Sequence, residues 1–192
     1  MLRGLGDIVL DSQRIFRAVM EAFAHPGRIL EMPGPVEAPK PLHRAAAAIC
    51  LTLVDFETPL WLDAAAATLE VHDYLRFHCG CRVVDEPAAA RFALVADPSA
   101  MPRLDRFEAG SHEYPDASAT LIVQTRALSG GEGQRLAGPG IDGHARLGAA
   151  GLPETFWRGL RDNHALFPRG VDVLLTDSGR LAALPRTTLA EA

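Results

Sequence analysis

The chain has 192 residues, 48% of them hydrophobic and 22% charged, with a formal net charge of −5. This is about one globular domain with enough chain to bury a single core, and its acidic balance excludes a nucleic-acid surface, which needs a basic field. The longest apolar run, Ala45 to Val54, is too short to span a bilayer.

The predicted elements alternate. Between Asp11 and Ala24, Ile15, Phe16, Val19, Met20 and Phe23 form a one-sided helical stripe, with Asp11 or Ser12 as cap and Pro26-Gly27 as stop. Arg28 to Met32 reads as a short strand, followed by a proline-rich connection, Pro33 to Pro41. Ala45 to Val54 reads as a buried helix, because its alanines favour helix and allow close packing. A strand from Pro59 to Asp63 and a helix from Ala64 to His78 come next. Phe92–Ala96 and Thr120–Thr125 are apolar strands of the kind buried on both faces. The glycine-rich stretch from Gly130 to Gly151 is expected to be a mobile loop. Pro153 opens a last helix, through Phe156, Trp157 and Leu160 to about His164. The chain closes with a hairpin: Val171 to Thr176, a turn at Asp177-Ser178-Gly179, and a return over Leu181 to Leu184 that Pro185 stops. The expected fold is a single α/β domain over 1–192, a three-layer-type sandwich around a mixed sheet.

Several constellations could carry chemistry. Lys40 is the only lysine and lies between two prolines, so a P-loop is excluded and a Schiff-base cofactor has one poor candidate. Gly138-Pro139-Gly140-Ile141-Asp142-Gly143 matches Gly-x-Gly-x-x-Gly, but without the strand before and helix after that a dinucleotide site needs; it reads as a turn. His78-Cys79-Gly80-Cys81 offers three soft ligands yet leaves a tetrahedral zinc site incomplete, so no metal is expected. With Cys50 the cysteines number three, not a disulfide framework. No secretory leader is visible, and the expected setting is the cytoplasm. Arg76 and His78 straddle Phe77 at a helix end. With Phe77 expected to pack inward, both cations face a rim, where they could meet a phosphate or only the helix dipole. Arg186, Thr187 and Thr188 follow the last strand as a possible oxyanion or partner contact. Arginine at a strand end is expected to add little to the core.

Phe167-Pro168-x-Gly170-Val171-Asp172 and Pro185-Arg186-Thr187-Thr188 together resemble the H-subunit family of the bacterial carbon–phosphorus lyase core complex. Asp11-x-Gln13-x-x-Phe16-Arg17 with Pro26-Gly27, Leu51-Thr52-Leu53-x-Asp55, Thr58-Pro59-x-Trp61-Leu62 and Leu75-Arg76-Phe77-His78 follow the same family's order. So do Leu128-Ser129-Gly130-Gly131 and Arg135-Leu136-x-Gly138-x-Gly140-Ile141, and the blocks extend from about residue 11 to 188. The resemblance implies a fold related to pyridoxal-phosphate-dependent transferases without the cofactor. It also implies a place in a multi-subunit enzyme that moves ribose 5-triphosphate from ATP onto an alkylphosphonate, releasing adenine. On this reading the chain carries no catalytic motif or cofactor of its own and is inactive alone. Its partners are sister subunits, or a second copy when isolated. Arg17, Arg76, His78, Arg186, Thr187 and Thr188 are its phosphate or partner contact candidates. The alternative is an independent phosphate or phosphonate enzyme or binder with a pocket at a homodimer interface; a metal protein built on His78, Cys79 and Cys81 is a third reading.

Overall fold

The computed structural model describes residues 2–191. Its helices are α1 (Ile8–Ala24), α2 (Arg44–Leu53), α3 (Leu69–Cys79) and α4 (Phe156–His164). The strands are β1 (Leu30–Glu31), β2 (Leu60–Leu62), β3 (Val83–Val84), β4 (Phe92–Val95), β5 (Thr120–Gln124), β6 (Ala127–Ala137), β7 (Ala145–Ala150), β8 (Asp172–Thr176), β9 (Arg180–Leu184) and β10 (Leu189–Ala190). Seven form one sheet in the order β1-β9-β8-β5-β4-β2-β3, and three form another, β10-β6-β7. β8, β5, β4, β2 and β3 run parallel, while β9 is antiparallel to both its neighbours. The molecule is therefore α/β with a mixed sheet, as expected.

Alternate residues of the central strands feed two cores. Leu60, Leu94, Ile122 and Leu174 meet α1, α2 and α3 on one face. Val95, Leu121, Val123, Val173 and Leu175 meet α4 and the three-stranded sheet on the other. Burial on both sides explains why these strands read as unbroken apolar runs. Every residue of α2 from Ala45 to Cys50 is fully buried, so small alanines are needed where the neighbouring elements approach on all sides.

Four expectations need correction. α1 starts earlier, because Asp7 accepts hydrogen bonds from the N–H groups of Val9 and Leu10 and is the cap. Asp11 instead turns back and accepts from Gly6 and Asp7. Phe16 and Met20, in the expected core stripe, are about half exposed. α3 starts later, capped by Thr68, since Asp63 accepts from Ala66 and holds the preceding residues in a turn. Most of the stretch from Gly130 to Gly151 is not loop but the β6–β7 hairpin.

The glycines of that hairpin's connection have a packing role. A Cβ on Gly138 would stand 2.7 Å from the Thr187 carbonyl oxygen, and one on Gly140 would stand 2.2 Å from that of Ala24. The turn is wedged between the end of α1 and the segment after β9. Gly140 also has φ +83°, where a side chain is strained. Gly140→Ala is expected to cost about 3 kcal/mol or more, from backbone strain and overpacking together, and chemical denaturation measures it.

Candidate functional site

Parallel strands buried on both faces leave polar groups only at their ends, and α/β sheets bind ligands in the crevice outside the carboxyl ends. Three buried side chains build that edge here. Asp63, just past β2, accepts from Ala96 and Asp97 at 2.9 and 2.8 Å and fixes the turn after β4. Gln124, the last residue of β5, accepts from the His43 N–H at 2.5 Å and donates to the Pro41 carbonyl at 3.2 Å, which holds the start of α2 against the sheet. Asp177, just past β8, accepts from the N–H groups of Leu128, Gly179 and Arg180 and from the Arg180 guanidinium. Burial opposes the Asp177 charge, yet Arg180 and these amides prevail and hold the carboxyl below its ordinary range.

Between these loops lies an open cleft of about 400 Å³ lined by His43, Ala96, Asp97, Pro98, Gln124, Thr125, Arg126 and Ser178. Thr125 is anchored, its Oγ1 donating to the Thr176 carbonyl. Arg126 is exposed and pairs with no carboxylate among the described residues. His43 Nδ1 is buried without a partner, and burial lowers the imidazole pKa against the opposing pull of Asp177. None of these residues was among the contacts expected from sequence. The signal was present in Gln124-Thr125-Arg126 and Asp177-Ser178, polar residues placed just after apolar strand runs.

The expected contact residues lie elsewhere. Arg17 and Arg76 are exposed and carry no ion pair among the described residues. Phe77 is 67% exposed, contrary to its expected inward packing; Val71, Tyr74 and Leu75 form the buried side of α3 instead. His78 packs on the Tyr74 ring at 4.6 Å between centroids, and its Nε2 lies 3.3 Å from the Leu2 carbonyl oxygen. Arg186 is no loose strand end. Its guanidinium grips both Asp172 oxygens and donates to Ser118 Oγ and the Pro115 carbonyl. Thr187 is the residue Gly138 packs against, and Thr188 is buried with no partner for Oγ1. Pro185-Arg186-Thr187-Thr188 thus carries the chain from β9 to β10, joining the two sheets.

The cysteines sit in the core beside α3. Cys79 points its thiol at the Cys50 carbonyl, and burial pushes the Cys50 thiol up to about 12. Among the described residues no group of three His, Cys, Asp or Glu side chains is arranged to hold a metal ion.

The sequence model of a family described as bacterial phosphonate metabolism protein (PhnH) matches residues 3–191. A Rhizobium meliloti (strain 1021) protein named alpha-D-ribose 1-methylphosphonate 5-triphosphate synthase subunit PhnH is 40% identical over 185 residues, covering 96% of this chain and 92% of that protein. A Stutzerimonas stutzeri protein named for a C-P lyase subunit, HtxG, is 34% identical over 180 residues, covering 92% and 84%.

Two outcomes follow from the geometry. Arg186→Ala is expected to lower stability by about 2–3 kcal/mol, because it leaves Asp172 partly buried and unpaired; Arg186→Lys restores little, having lost the planar fork. Equilibrium unfolding of the three proteins measures this. Asp177 contributes stability that is fully present above its ordinary pKa of 3.8 and is lost as pH falls through the lower folded value. The gap in Tm between the native chain and Asp177→Asn should therefore be constant near neutrality and close only below about pH 4.

Proposed function

The chain belongs to the family of bacterial phosphonate metabolism proteins, and on that premise we propose that it is one subunit of a carbon–phosphorus lyase assembly that makes α-D-ribose 1-methylphosphonate 5-triphosphate. In this reading the assembly transfers ribose 5-triphosphate from ATP to an alkylphosphonate and releases adenine. The chain completes or positions that site and is inactive by itself. The implied kinship with cofactor-dependent transferases belongs to the same reading, as an ancestral scaffold used without its cofactor.

The observation that carries it is the outer face of α1. Ile15, Val19 and Ala22 bury one side of this helix, as a soluble protein requires. A second stripe, Val9, Phe16 and Met20, follows the helical repeat on the solvent side, with Ile8 and Leu10 beside it; Ile8 and Val9 are each 75% exposed. Monomers rarely gather large apolar side chains along one exposed helix face, and such a face marks an interaction surface. The relatives are named as subunits, which supports a sister subunit as the occupant. The isolated chain has the same face free and pairs with a second copy through it, since a symmetric dimer buries the patch at no new cost in surface design.

Co-expression with the sister subunits tests the reading. The native chain is expected to co-purify with them, and Phe16→Asp with Met20→Asp to lose at least nine-tenths of that association with Tm unchanged within about 2 °C. Light scattering of the isolated variant should give a monomer where the native chain gives a dimer. Undiminished co-purification of the double variant would rule out the α1 face, and a native chain that recruits no partner would rule out the subunit role.

A further inference from the structure

We propose that the cavity at the carboxyl edge of the sheet binds a tetrahedral phosphorus oxyanion, the phosphonyl or phosphoryl end of a small ligand, through Arg126 and Ser178. This deepens the subunit role and rests on it for the choice of phosphorus over other oxyanions. The cavity itself is argued from its own walls.

Arg126 stands at the rim with its backbone fixed, its N–H donating to the Ala150 carbonyl at 2.8 Å. Its stem runs along Gly151, which has φ +99°; a Cβ there would meet Arg126 Nε at 3.3 Å and Pro98 at 3.7 Å. The bare glycine lets the guanidinium side chain lie along the cavity wall. With no carboxylate partner among the described residues, its planar donor face is free for the bidentate contact that a phosphoryl group accepts.

Besides Arg126 the lining carries one charge of the opposite sign. Asp97 is the one carboxylate there, and its Oδ1 is occupied by the Ser99 N–H at 3.0 Å and the Ser99 hydroxyl at 2.6 Å. His43 also lines the cavity, and its buried Nδ1 has no partner. An unmet ring nitrogen beside a cavity is costly, and a ligand or its water can meet it once the ring turns. His43 is the N-cap residue of α2, which directs the positive end of its dipole here with neither a side-chain cap nor an acidic residue in its first turn. Gln124 and Thr125 spend their polar atoms on the fold, which leaves Arg126, Ser178 and His43 for a ligand. A volume of about 400 Å³ lies in the range of roughly 300–1,000 Å³ for small-molecule pockets, enough for a phosphonyl group with a sugar-sized substituent.

Isothermal titration of the purified full chain with methylphosphonate, inorganic phosphate and tripolyphosphate tests the site. One saturable site is expected for at least one of these; which one is tightest tells an alkylphosphonate from a triphosphate tail or free phosphate. Arg126→Ala should weaken it at least tenfold and Ser178→Ala about threefold, both with unchanged Tm, because both side chains are exposed. Arg126→Lys should recover only part. Arg76→Ala, a free arginine on another surface, should bind as the native chain does. Absence of saturable binding by all three anions overturns the proposal, and so does equal weakening by Arg76→Ala and Arg126→Ala, which would mean only diffuse charge. Co-purification with the sister subunits, measured on the same Arg126→Ala protein, reads the subunit role separately from the site.

Discussion

A parallel sheet covered on both faces cannot place polar chemistry on its surfaces, and this constraint organises the molecule. Unpaired strand ends and loop amides must be met at the two edges instead. The carboxyl edge is met by Asp63, Gln124 and Asp177, each within one residue of a strand end and each bridging to a different segment of chain. Gln124 joins β5 to the start of a helix 81 residues away in sequence. These bridges fix the loops beside which the cavity lies.

The amino edge is tied by a single arginine. Arg186 reaches back to Asp172 at the start of β8 and to Pro115 and Ser118 ahead of β5. A guanidinium has five donors and a fixed fork, so one side chain can tie three segments. A second cleft, of about 380 Å³, lies at this edge too, among Arg91, Glu108, Tyr114 and Ala117. The same Arg186 stands in the segment linking the two sheets, and glycines 138 and 140 allow the β6–β7 turn to press against that segment and the end of α1. Several short blocks by which the chain resembles its family meet at this junction.

Much of the fold was legible because burial leaves a strong pattern. The runs Phe92–Ala96 and Thr120–Thr125, the alanines of α2 and the final hairpin each became the expected element. What failed had specific causes. Asp11 looked like a cap because a carboxylate stood before an apolar stripe, but Asp7 took that role and Asp11 secured the entry instead. Gly130 to Gly151 read as loop by composition, whereas cross-strand pairing, a non-local interaction, made it a hairpin. Phe16, Met20 and Phe77 were read as core because hydropathy alone cannot tell a face packed inside one chain from a face waiting for another. The cavity was missed because His43, the Gln124-Thr125-Arg126 run and Ser178 are far apart in sequence and only strand order brings the three together. Arg186 was visible as part of a motif, and its partners were not, since Asp172 and Ser118 precede it by 14 and 68 residues.

Assembly through α1 is the central claim, and hydrogen–deuterium exchange tests it most directly. Exchange would be followed in the chain alone and in the complex with its sister subunits, peptide by peptide. The account predicts slower exchange over residues 8–24 in the complex, with the central strands unchanged because their amides are already protected. Unchanged exchange across α1, with new protection confined to another surface such as the one around Phe77, would contradict it.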